Sequence, residues 1–176
     1  SFKAYAIKET GSGARYIENC RFTKIIGTSY DGQAIEKASD GTVSRVVVDN
    51  CQLGCNGQKG VLYVVKGTFS ECVVTNNYVE DAVSSDQMPA FVHLYSNSSV
   101  VFKNSFVGYN DYGAAHGFRL GKGECCGVVR VDIGKLDNCV IVGNEIRHGS
   151  PQKVGGVWRN SGGSIQNCVI LDNGLG

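Results

Sequence analysis

A chain of 176 residues is long enough for one domain with a sizeable core and too short for two ordinary ones. Its 24 glycines and two prolines, with 23 valines against seven leucines, exclude both low-complexity disorder and a leucine-rich helical protein, and point to an all-β fold. Seventeen basic residues balance 16 acidic ones for a net charge of +1, with no run of five like charges. That balance removes attraction to nucleic acid or anionic lipid as a leading basis for function.

Residues 2–7 alternate as a strand, and the first of six related motifs follows at Ile17-Glu18-Asn19-Cys20. A second strand, Gln33-Ala34-Ile35-Glu36, leads to Val48-Asp49-Asn50-Cys51. A third, Val61-Leu62-Tyr63-Val64-Val65, leads to Val74-Thr75-Asn76-Asn77, and a fourth, Phe91-Val92-His93-Leu94-Tyr95, to Phe102-Lys103-Asn104-Ser105. Gly117-Phe118-Arg119-Leu120 then precedes Leu136-Asp137-Asn138-Cys139, and Gly156-Val157-Trp158-Arg159 precedes Ile165-Gln166-Asn167-Cys168. The six asparagines recur 31, 26, 28, 34 and 29 residues apart.

Each asparagine follows a polar residue, which follows a large apolar one, as strand alternation requires. The chain is apolar again three residues later, at Phe22, Leu53, Val79, Val107, Ile141 and Ile170. Uninterrupted alternation would put the two apolar positions on opposite faces, so a corner must fall at the asparagine. Asparagine tolerates the left-handed backbone that a one-residue bend needs. A unit of some thirty residues without helical periodicity cannot bury its strands alone and must stack on its neighbours. The expected fold is therefore a parallel β-solenoid of about six coils, with Asn19, Asn50, Asn76, Asn104, Asn138 and Asn167 as a structural ladder at one corner. Periodicity runs close to both ends, so residues 1–176 are expected to form a single β-helix segment of a longer protein, with end-to-end self-association as a further expectation.

These coils resemble the right-handed parallel β-helix superfamily of pectin-lyase-like proteins, in which an asparagine ladder occupies the corner between the second and third strands. The stretch from Gly155 to Asn173 also resembles the glycine- and asparagine-rich repeats of bacterial surface and polymorphic outer-membrane β-helix proteins. The resemblance implies a secreted or surface-exposed protein, extracellular or at the cell surface.

The small residue after each asparagine (Cys20, Cys51, Asn77, Ser105, Cys139, Cys168) points inward, where cysteine serves as a compact apolar filler. Stacked layers lie about 4.8 Å apart, so Cys20 with Cys51 and Cys139 with Cys168 come within reach of disulfides, although in-register side chains that point the same way disfavour them. Cys51, Cys55 and Cys72 lack histidines at matching spacing, and no metal site is expected from them. A calcium site from Glu80, Asp81 and Asp86 is the one cofactor considered; solvated loop carboxylates explain the same residues.

If Ile35, Leu62, Val92 and Phe118 face the core, then Glu36, Tyr63, His93, Arg119 and Trp158 form one outer column with Tyr95 beside it. Such a column suits an extended polysaccharide or cell-surface glycan: aromatic faces meet sugar C–H groups, Arg119 pairs with a uronate or sulfate, and His93 exchanges protons near neutral pH. Ordinary cross-coil packing of aromatic and β-branched residues accounts for the same pattern. The functional expectation is structural presentation or carbohydrate binding. The resemblance also supplies an alternative, a polysaccharide lyase or glycoside hydrolase with His93, Arg119 and Lys122 at its catalytic face, and a second alternative is a self-assembling fibre component. No nucleic-acid partner and no membrane span are expected, since no 18-residue apolar stretch occurs.

Overall fold

The computed structural model describes residues 5–27, 33–55, 60–81, 90–95, 100–113, 125–147 and 153–175. Every strand pairing in it is parallel and joins strands 20 to 40 residues apart in sequence, so the chain winds into a parallel β-solenoid. Among the described residues there is no helix, and none long and apolar enough to cross a membrane.

Three sheets form the walls. The first has ten strands in two side-by-side columns: Tyr5–Glu9, Gln33–Lys37, Leu62–Val64 and Val92–Leu94 in one, and Arg15–Glu18, Gly41–Ser44, Thr68–Ser70 and Val101–Lys103 in the other. The long strand Cys125–Asp137 joins the two columns, and Lys153–Gln166 pairs along it. The second and third sheets hold six strands each, mostly of three residues.

Short strands follow from the core's geometry. In the second column of the first sheet and along the second sheet, one apolar residue per strand points inward, giving unbroken stacks such as Val43-Phe69-Phe102-Leu136 and Val48-Val74-Val107-Ile141, all fully buried. Phe69 and Phe102 stack with ring centroids 6.3 Å apart. Each such side chain removed from water contributes about 1.5–3 kcal/mol.

The bends explain the repeat and correct its reading. Two residues with φ between 50° and 61° occur in each layer, five positions apart. Asn19, Arg45, Glu71, Asn104, Asn138 and Asn167 make the bend between the first and second sheets. Lys24, Asn50, Asn76, Tyr109, Gly143 and Asp172 make the bend between the second and third. Asn50 and Asn76 therefore do not stack with the other four expected ladder asparagines. The same local sequence, an apolar residue, a polar residue, a left-handed asparagine and a small donor, occurs at both bends, as Ile17-Glu18-Asn19-Cys20 at the first and Val48-Asp49-Asn50-Cys51 at the second, so one motif served two places.

The buried ladder stands at the second bend, one residue after the left-handed position. It runs through about four turns, Asn77, Asn110, Asn144 and Asn173, rather than the six expected. Each of these side-chain amides donates to the carbonyl left open by the bend in the layer before: Asn77 to Val48 at 2.9 Å, Asn110 to Val74 at 3.0 Å, Asn144 to Val107 at 3.0 Å and Asn173 to Ile141 at 2.8 Å. Cysteine fills the corresponding place with its weaker S–H donor, Cys51 toward Phe22 at 3.7 Å and Cys139 toward Phe102 at 3.6 Å. Cys20, Cys51, Cys72, Cys139 and Cys168 are all free thiols. Cys20 and Cys51 follow different bends, which removes the geometric basis for bridging them.

Candidate functional site

Parallel register carries one residue per layer onto the same outer line. Along the first column the order is Lys8, Glu36, Tyr63, His93, Arg130 and Trp158. Val92 and Leu94 belong to the core, so His93 between them faces the other way, and the same holds for Tyr63 between Leu62 and Val64. The expected column of Glu36, Tyr63, His93 and Trp158 is thus one line of the structure, but its fifth place belongs to Arg130. Arg119 and Lys122, with the strand read around residues 117–120, lie outside the described residues.

Arg130 replaces Arg119 because Val129-Arg130-Val131 repeats the apolar-polar-apolar pattern that pairs with Val92–Leu94. Sequence reasoning missed Asp132 along with it. The signal was present: Arg130 and Asp132 are two apart on one strand and so share a face. Asp132 accepts a 2.9 Å hydrogen bond from Arg130 Nε on Oδ1 and lies 2.9 Å from His93 Nε2 through Oδ2. Burial alone would raise the Asp132 carboxyl, but the hydrogen bonds from His93 and Arg130 and the guanidinium charge outweigh it and hold the group below its ordinary range. An ionised carboxylate can only accept, so the His93 Nε2 carries the proton.

Three rings close the cluster. Tyr63 and His93 meet edge to face with centroids 5.3 Å apart, His93 and Tyr95 at 5.5 Å, and Tyr63 and Tyr95 at 5.5 Å. Burial pushes the Tyr63 phenol well above its usual value, with Tyr95, Glu36 and Asp132 adding to the effect. Lys8 stands 3.5 Å from Glu36 at the far end.

Exposure divides these residues. His93 is fully buried and Tyr63, Glu36, Arg130 and Asp132 are nearly so, whereas Tyr95 is half-buried and Lys8 exposed. The expectation of an open outer column therefore needs correction: its middle is a closed, hydrogen-bonded seam, and the exposed groups stand at its edges. His93 and Asp132 orient the rings; Tyr95 presents one. Of the carboxylates considered for calcium, Glu80 and Asp81 end the strand Tyr78–Asp81 and Asp86 lies outside the described residues; among the described residues no three acidic, histidine or cysteine groups converge.

The scan against protein-family models and the search of curated proteins found no match for the chain.

Proposed function

We propose that this chain is the β-helical scaffold of a secreted or surface-exposed protein and that it binds carbohydrate along the outer face of the first column. The observation that carries the reading is the Tyr63-His93-Tyr95 ring cluster, pinned to the rigid wall through Asp132 and Arg130. Rings locked by neighbours lose little freedom on binding, which favours recognition of flat apolar sugar faces. Lys8 is the exposed cation on the same line, and the ligand it favours is an acidic glycan such as a polyuronate. The resemblance to pectin-lyase-like proteins supports the same ligand class.

Affinity electrophoresis on polygalacturonate tests it. Tyr95→Ala is expected to weaken retention by about tenfold, and added salt to weaken it further. Equal migration of the parent chain with and without the polymer would dispose of the proposal.

One observation favours a second reading, a polysaccharide lyase. The His93–Asp132 pair and Arg130 bring an acid–base group, its orienting carboxylate and a cation together beside Tyr95, all three buried, so catalysis would need the seam to open to substrate. Appearance of an unsaturated product on incubation with polyuronates, abolished in His93→Gln, is the outcome that reading requires.

A further inference from the structure

The second sheet carries a separate apolar face that nothing in the first column uses. In register, Val47, Val73, Phe106, Val140 and Val169 stand on one outward line directly after the first bend. Val140 and Val169 are exposed and Phe106 is half-buried. A groove of about 460 Å³ crosses three layers here, lined by Glu71, Val73, Asn104, Phe106, Asn138 and Val140 among others.

Two rings extend the floor, each lying over a glycine. The Phe106 ring lies over Gly108, where an added Cβ would stand 2.4 Å from the ring. Tyr109, 60% exposed, lies over Gly143, where a Cβ would stand 2.8 Å away. The two centroids are 6.0 Å apart with the planes tilted by 42°. Along the rim Asn138 Nδ2 donates to Asn104 Oδ1 at 2.9 Å, which leaves each amide further donor and acceptor capacity.

We infer that this groove is a second carbohydrate site, selective for a neutral glycan chain laid across the Phe106–Tyr109 platform and hydrogen-bonded by Asn104 and Asn138. Charge decides the class of occupant. Among the described residues Glu71 is the one charged group lining the groove, and Arg45 answers it at 3.9 Å, so neither a polyanion nor a charged peptide finds a complementary field there. The volume lies in the range of small-ligand clefts, about 300–1,000 Å³, rather than that of a protein interface. The site shares no residue with the first column, so it stands whether or not the proposed function does.

Titration calorimetry with cellohexaose, xylohexaose and mannohexaose tests the inference, with circular dichroism as the check on folding. The parent chain is expected to bind at least one of the three. Phe106→Ala, Tyr109→Ala and Gly108→Ala, the last of which keeps Phe106 but displaces its ring, are each expected to lose about tenfold. Tyr16→Ala, which removes an exposed ring elsewhere, is expected to change nothing. Absence of binding to all three sugars, or equal binding by folded Tyr109→Ala and Gly108→Ala variants, would overturn it. So would a dimer in sedimentation velocity that Phe106→Ala abolishes without any sugar binding, since the face would then belong to a second copy of the chain.

Discussion

Asn110 Nδ2 donates to Asn144 Oδ1 at 2.8 Å, and the backbone N–H of Asn110 donates to that same oxygen at 3.1 Å. Oδ1 of Asn110 takes the equivalent pair of bonds from Asn77 at 2.9 and 3.0 Å. One buried amide thus closes the hydrogen bonds of the bend in the layer before and joins the amide of the layer after. Asn110→Ala leaves the Asn77 N–H and the Val74 carbonyl without it and is expected to cost about 2–4 kcal/mol in urea denaturation. Asn104, exposed at the first bend, contributes mainly through its left-handed backbone, so Asn104→Ala is expected to cost about 1–2 kcal/mol and Asn104→Gly a few tenths.

Lys37 occupies an inward place that Val64, Leu94 and Val131 fill in later layers. It is fully buried, with Nζ 2.6 Å from Glu9 Oε2 and 3.0 Å from Ser39 Oγ. Removing one partner strands a buried charge, so Lys37→Ala is expected to lower stability by about 3–5 kcal/mol. Glu9→Leu with Lys37→Leu restores the apolar stack and is expected to recover most of that loss. A double variant no more stable than Lys37→Ala would show that the pair does more than satisfy itself.

Cysteine chemistry should follow burial. Desolvation pushes the Cys139 thiol up to about 12 and Cys72 up to about 11, so almost no thiolate exists at neutral pH. Alkylation of the folded chain followed by mass spectrometry is expected to leave Cys51, Cys72 and Cys139 unmodified while the half-buried Cys20 and Cys168 react.

Acid should weaken the fold through particular carboxylates. The folded pKa of Asp132 lies below its unfolded value, so its contribution is complete above about pH 4–5 and is lost as pH falls through the lowered value. Asp137 behaves alike: hydrogen bonds from Lys135, Gln166 and Asn167 bring its carboxyl down to about 2. Thermal melts between about pH 6 and about pH 2 are expected to fall less steeply for Asp132→Asn than for the parent chain. Parallel slopes would contradict the assigned network.

Much of the fold was legible because a solenoid repeats its physics in every layer. The apolar-polar-Asn-small motif marked real bends, and the outer line of Glu36, Tyr63, His93 and Trp158 followed from alternation alone. The two-bend layer was not legible in the same way. Arg45, Glu71, Lys24 and Tyr109 take the left-handed conformation without being asparagine, so a search for asparagine skipped from one bend to the other. Arg130 and Asp132 were missed because Phe118-Arg119-Leu120 offers the same apolar-basic-apolar pattern as Val129-Arg130-Val131, and alternation alone does not tell which of the two pairs with Val92–Leu94. Burial of His93 was beyond reach, since alternation tells which face a residue takes and not what covers that face.

The claim that the first column recognises acidic glycans is tested most directly by an amide NMR titration of the chain with hexagalacturonate. Saturable shifts confined to residues 62–64, 92–95 and 129–132 are the predicted result. A spectrum unchanged at saturating sugar, or shifts centred on the second and third sheets, would contradict it.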